Sequence, residues 1–140
     1  MIYFDTNVII YALEIVPYDE RLVKTAKSRF DKALKDQQAA LSFLTVAEVA
    51  FVLAKLKVEE SILEKTLNFL AGRVQEVVMD SSVIKDFLSI SKKTHQYRQS
   101  FDVLHVEIAR RLNCQKIVTF DRELKKLQPE YQDINIEILA

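Results

Sequence analysis

Glycine is nearly missing from this chain: Gly72 is the only one in 140 residues. A Walker loop and a dinucleotide fingerprint each need backbone to approach phosphates at several glycines, so ATP and NAD chemistry are disfavoured. Cysteine is equally scarce. Cys114 stands alone, which excludes an intramolecular disulfide and a thiolate zinc site and fits a reducing cytoplasm. Lys plus Arg balances Asp plus Glu at 20 each, so the global basic footprint of a dedicated nucleic-acid binder is absent, and any polyanion must be held by a local surface. No uncharged apolar run approaches the roughly 18 residues of a membrane span, and the amino terminus begins on what reads as a core strand. The expectation is a soluble, unexported protein.

What remains is a 49% apolar chain of a length that suits one domain with a single core, residues 1–140. Apolar runs alternate with amphipathic stretches. Strands are expected at Ile2–Phe4, Ala39–Leu44, Val74–Met79, Lys116–Phe120 and Ile134–Leu139. Between them the spacing predicts helices from Val8, over 19–36, from Thr45 to about 56, over 59–71, from Asp80 or Ser81 to Lys93, over 101–112, and a short basic one at Glu123–Leu127. Gly72 suits the left-handed position beyond a helix terminus. Strand–helix alternation implies an α/β fold with a mostly parallel, five-stranded sheet.

Four carboxylates fall where a strand hands over to a helix or within that helix's first turn: Asp5, Glu48, Asp102 and Asp121. In an open α/β sheet, ligands bind outside the carboxyl ends of the strands, so these acids are candidates for gathering a hard divalent cation such as Mg²⁺ or Mn²⁺. Each has a plainer explanation. Asp favours N-caps, an acid in a first turn complements the helix dipole, and Thr45-Val46-Ala47-Glu48 spells a capping box. Asn7 and Thr119 are neutral companions: Asn7 to bind a phosphate or a metal-bound water, Thr119 to hydrogen-bond Asp5 or Asp121. Lys92, Lys93 and Arg98 lie in a basic stretch with Tyr97 that suits an RNA backbone and a stacked base, or simply a solvated loop. His105 reads as a core or partner-facing residue.

Asp5-Thr6-Asn7-Val8-Ile9, Ser42 through Glu48-Val49, Phe101-Asp102-Val103-Leu104-His105 and Val118-Thr119-Phe120-Asp121 occur in that order across nearly the whole chain. In them the sequence resembles the PIN-domain nucleases, and in particular the small VapC-like toxins of toxin–antitoxin systems. The resemblance implies a three-layer α/β/α sandwich and four acids that bind Mg²⁺ or Mn²⁺ and cleave single-stranded RNA by metal-assisted hydrolysis. It also implies a homodimer silenced by an antitoxin. Departures are Val103 where the family often has Ala, and Asn113 or Cys114 where it often has Gly. A haloacid-dehalogenase-like phosphatase also begins with Asp after its first strand but wants a second Asp two residues later, where Asn7 stands. A PIN-like scaffold that binds RNA or a partner without cutting is the non-enzymatic alternative.

Overall fold

The computed structural model describes residues 1–95 and 97–139. Among the described residues four strands, β1 (Ile2–Phe4), β2 (Ala39–Ala40), β3 (Lys116–Thr119) and β4 (Asn135–Ile138), form one sheet in the order β2-β1-β3-β4. Every ladder is parallel, with Tyr3 opposite both Ala40 and Ile117, and Ile117 opposite Ile136. Parallel neighbours need crossovers, supplied here by α1 (Thr6–Ala12), α2 (Glu20–Lys35), α3 (Phe43–Lys55), α4 (Glu60–Ala71), α5 (Ser81–Thr94) and α6 (Ser100–Arg111). A short 3-10 turn (Tyr97–Gln99) precedes α6, and a longer 3-10 segment (Arg122–Glu130) joins β3 to β4.

The core is split by the sheet because successive strand residues point to opposite faces. Tyr3, Ala40, Ile117 and Ile136 pack with Val103, Val106 and Ile108 of α6 and with Leu124 and Leu127. Phe4, Leu41 and Val118 pack on the other face with Val8 and Ile9 of α1, Phe30 of α2, Leu53 of α3 and Leu70 of α4. The result is the expected three-layer α/β/α sandwich.

Several local expectations are corrected. The strand foreseen at Val74–Met79 is reduced to a single bridge between Val74 and Leu41, with one further bond from the Gln75 N–H to the Leu41 carbonyl at 2.8 Å. Its partner gives out: the chain after Leu41 turns at Ser42 into α3, so residues beyond Gln75 have no ladder to join. For the same reason β2 ends at Ala40 instead of Leu44, and α3 starts at Phe43, with Ser42 as N-cap and Thr45 completing the capping box. Glu48 is therefore in the second turn and caps nothing.

Gly72 is the second surprise, since it sits in the right-handed region at φ −66. The left-handed positions after helices are taken by Glu14, Gln37, Lys57, His95 and Asn113. Finally, the short helix near Glu123 is a 3-10 segment that runs on to Glu130 through Pro129.

Candidate metal and nuclease site

The sheet brings the acids together through the direction of its strands. β1 and β3 are adjacent and parallel, with Phe4 opposite Val118, so Asp5 and Thr119 emerge abreast at the same edge. A crossover helix that leads into a parallel strand runs against it, which puts the amino terminus of α6, and Asp102 in its first turn, at that edge too. On the other side α3 leaves the end of β2 and carries Glu48 inward. Asp5, Glu48 and Asp102 line one cavity of about 280 Å³, together with Thr6, Asn7, Ile10, Phe51 and Val52.

Asp5 is buried and held at both oxygens. Oδ1 accepts the Thr6 N–H at 2.8 Å, while Oδ2 accepts the Thr119 hydroxyl at 2.6 Å and the Asn7 amide at 3.3 Å. Thr119 also accepts the Asp121 N–H at 3.0 Å and the Asn7 amide at 3.1 Å, and Asn7 Oδ1 accepts the Phe120 N–H at 3.2 Å. Asn7 and Thr119 thus tie the ends of β1 and β3 together around Asp5. As an N-cap Asp5 satisfies a backbone donor and still faces the cavity. Capping and site membership coexist.

Asp121 caps the 3-10 segment by accepting the Glu123 N–H at 2.8 Å. It is not among the residues lining the cavity, yet its charge acts on Asp102. Asp102 has its pKa pushed up to about 7, by burial first, then by the charges of Asp5 and Asp121, with Glu48 adding to them and His105 opposing. Burial, the largest influence, also raises Asp5 above the ordinary carboxylate range. Glu48 goes the other way: burial works against its charge, but hydrogen bonds from His105 and Thr6 and the His105 charge outweigh it and hold it low.

His105 is buried, as the core reading expected, and its bond to Glu48 is what the sequence did not show. It is 1% exposed; its Nε2 lies 2.6 Å from Glu48 Oε2 and its Nδ1 lies 2.7 Å from the Tyr3 hydroxyl. The Thr6 hydroxyl donates to the same Glu48 oxygen. The signal for His105 was present: three residues after Asp102 on one helix is the same face. Thr6 follows Asp5 directly. Tyr3 offered less, because inside an apolar strand only its hydroxyl's need for a partner hints at a polar neighbour.

The basic residues gather less closely. Lys92 and Arg98 are exposed, Lys93 pairs with Glu130 at 2.8 Å, and none of the three lines the acid cavity. Gln96, within that basic stretch, lies outside the described residues.

A PIN domain model matches residues 2–128. The chain belongs to the PIN domain family. PIN domains are generally nucleases, so the PIN assignment makes hydrolase chemistry the family expectation and decides against the haloacid-dehalogenase alternative. No curated protein matches the chain. Among solved structures it is similar to a chain of VapBC2 from Rickettsia felis bound to a DNA fragment from their promoter, with 18% identity over 100% of both chains and a TM-score of 0.69. It is also similar to a chain of FitAcB from Neisseria gonorrhoeae, with 22% identity over 98% of this chain and 96% of that one and a TM-score of 0.63. At such identities the likeness speaks for the PIN fold alone.

PIN nucleases generally use divalent metals. The donor set suits one: the cavity offers carboxylate oxygens without a thiolate, and Asp102 has no hydrogen-bond donor among the described residues, its charge being opposed by burial first and then by Asp5 and Asp121. Among the described residues no three His, Cys, Asp or Glu side chains stand in a finished ligand arrangement. The acids are grouped around a cavity without being drawn in on one point. Among the described residues, no helix is long and apolar enough to cross a membrane.

Proposed function

We propose that this PIN domain is a Mg²⁺- or Mn²⁺-dependent endoribonuclease acting on single-stranded RNA, and the toxin of a toxin–antitoxin pair. One observation carries the reading: Asp5, Glu48 and Asp102, from three separate elements, line a single cavity with Asp121 close enough to raise the Asp102 pKa. Asp5, Asp102 and Asp121 are the proposed holders of the cation, with Glu48 completing the set. A bound divalent ion would polarise the scissile phosphate and favour ionisation of a water at the site. Glu48 Oε2 is occupied by His105 and Thr6, which leaves Oε1 as the acceptor for the proton of an attacking water. Thr6, Asn7 and Thr119 orient the acids. Lys92, Lys93 and Arg98 supply the local basic surface for RNA.

The likeness to VapBC2 and FitAcB supports an antitoxin partner. Exposed Phe43, Ile84, Leu88 and Phe101 support apolar contacts in a homodimer. We take residues 1–140 as one functional unit and the cytoplasm, which suits the lone Cys114, as its compartment.

The test is Mn²⁺-dependent cleavage of a single-stranded RNA by wild type and by Asp5→Asn. The variant should lose cleavage while keeping its melting cooperativity; equal rates would remove the mechanism. A second reading, a scaffold that binds RNA without cutting, draws on the lack of a finished ligand arrangement among the described residues. It predicts RNA retention with no metal-dependent products.

A further inference from the structure

A buried chain of polar groups runs from the sheet to the cavity. Ser42 and Thr45, at the start of α3, meet the Tyr3 hydroxyl at 2.7 and 3.2 Å. Tyr3 meets His105 Nδ1 at 2.7 Å, and His105 Nε2 meets Glu48 Oε2 at 2.6 Å. Tyr3, Ser42, Thr45 and His105 are each at most 1% exposed, so water does not compete for the bonds among them. The chain spans β1, α3 and α6, with Thr6 of α1 adding the second donor on Glu48.

Proton bookkeeping orders it. An ionised carboxylate only accepts, so the His105 nitrogen facing Glu48 must carry hydrogen. A neutral ring then accepts at Nδ1 from the Tyr3 hydroxyl, with Ser42 donating to the Tyr3 oxygen. A charged ring instead donates from Nδ1 to Tyr3, which passes its hydrogen to Ser42 or Thr45. In both states Nε2–H points at Glu48.

We propose that Tyr3 and His105 are positioning residues that fix Glu48 by one oxygen, Oε2, and so aim Oε1 at the reaction. Free Glu side chains wander among rotamers, and holding this one with two donors from separate helices removes that freedom before substrate arrives. The structure gives Glu48 no capping duty that would hold it otherwise. This role rests on the nuclease reading for its effect on rate, but the orientation itself is measurable without catalysis.

The experiment compares His105→Gln, His105→Asn and Tyr3→Phe with wild type, on purified full-length protein. Gln can place an amide donor where Nε2 lies; Asn is too short and reaches only toward Tyr3. The expected result is a fall in kcat of about 10- to 100-fold for His105→Asn and Tyr3→Phe at nearly unchanged KM, with His105→Gln far less affected. Thermal melts are run alongside, because a purely structural role would make activity follow stability. The second readout is NMR of ¹⁵N-labelled histidine in metal-free wild type, made simple by the chain having two histidines. Nε2 of His105 should carry hydrogen. A bare Nε2, or equal losses in the Gln and Asn variants, would overturn the proposal. A wild type that cleaves no RNA would instead overturn the nuclease reading, and the ring-nitrogen result would then decide the orientation of Glu48 alone.

Discussion

Asp102 shows what it costs to bury a carboxylate beside other carboxylates. Its pKa of about 7, against an ordinary 3.8, means that the folded chain keeps this proton where the unfolded chain has lost it. Its contribution to folding is therefore complete at low pH and is lost as pH rises from about 4 towards 7. Asp102→Asn should stabilise the metal-free protein by about 1–2 kcal/mol near pH 8, after allowance for solvent screening, and by almost nothing near pH 4. Urea unfolding at both pH values reads the difference; a destabilised variant near pH 8 would contradict a penalty from burial and repulsion. At this scale Asp5 and Asp121 were legible as strand-end acids, because strand-to-helix junctions can be read from periodicity. The buried polar chain through Tyr3 and His105 was not, since a strand tyrosine and a helix histidine look like core until their partners from other elements are known.

Among the elements, helix ends are where this glycine-poor chain carries strain. Lys57 and Asn113 both take positive φ, 59 and 56, just after α3 and α6. In each case the next residue's N–H reaches back into the helix, Val58 to Leu53 and Cys114 to Ala109, which holds the left-handed turn in place. Side chains tolerate that region poorly, Asn better than Lys. Exposed Lys57→Gly should stabilise by about 0.5–1 kcal/mol and Asn113→Gly by less, as measured by thermal melts. The reverse order would show that backbone strain is not the controlling factor. Asn113 also accounts for the departure from a family pattern that often has Gly there: Asn is the substitute that the left-handed position accepts. The helix boundaries were readable to within a few residues, but the reassignment of the α3 cap from Thr45 to Ser42 was not. Both residues are good caps, and the choice turned on where β2 lost its neighbour and on Tyr3 meeting the Ser42 side chain.

For the molecule as a whole, two charge groupings set how stability responds to conditions. On the outer strand β4, Glu137 takes both guanidinium nitrogens of Arg29 at 2.7 and 3.0 Å and the Lys116 ammonium at 2.8 Å, clamping α2 and β3 to the sheet edge. The Arg29 hydrogen bond, with Lys116 and both positive charges, overcomes partial burial and lowers its pKa from 4.5 to about 2. That stabilisation is present above about pH 4.5 and lost as pH falls towards 2. Glu137→Gln should cost about 1–2 kcal/mol at neutral pH, and the gap to wild type should close as the pH drops through that window. The acid cavity behaves oppositely: Mn²⁺ at saturating concentration should raise the melting temperature by on the order of 5 °C in wild type and much less in Asp5→Asn. Differential scanning fluorimetry with and without Mn²⁺ reads this, and no shift in wild type would count against cation binding by the native fold.

The sequence by itself determined the layer order, the parallel sheet and the strand-end positions of Asp5 and Asp121, because hydrophobic period, chain direction and strand-end carboxylates are local properties written residue by residue. It could not determine how many strands would find partners, since Val74–Met79 has strand-like composition and lacks only a neighbour to pair with. Nor could it say that Glu48 is freed from capping and gripped by His105. Those outcomes depend on groups far apart in the chain, 57 positions for Glu48 and His105, whose meeting only the packed sheet and its crossovers decide.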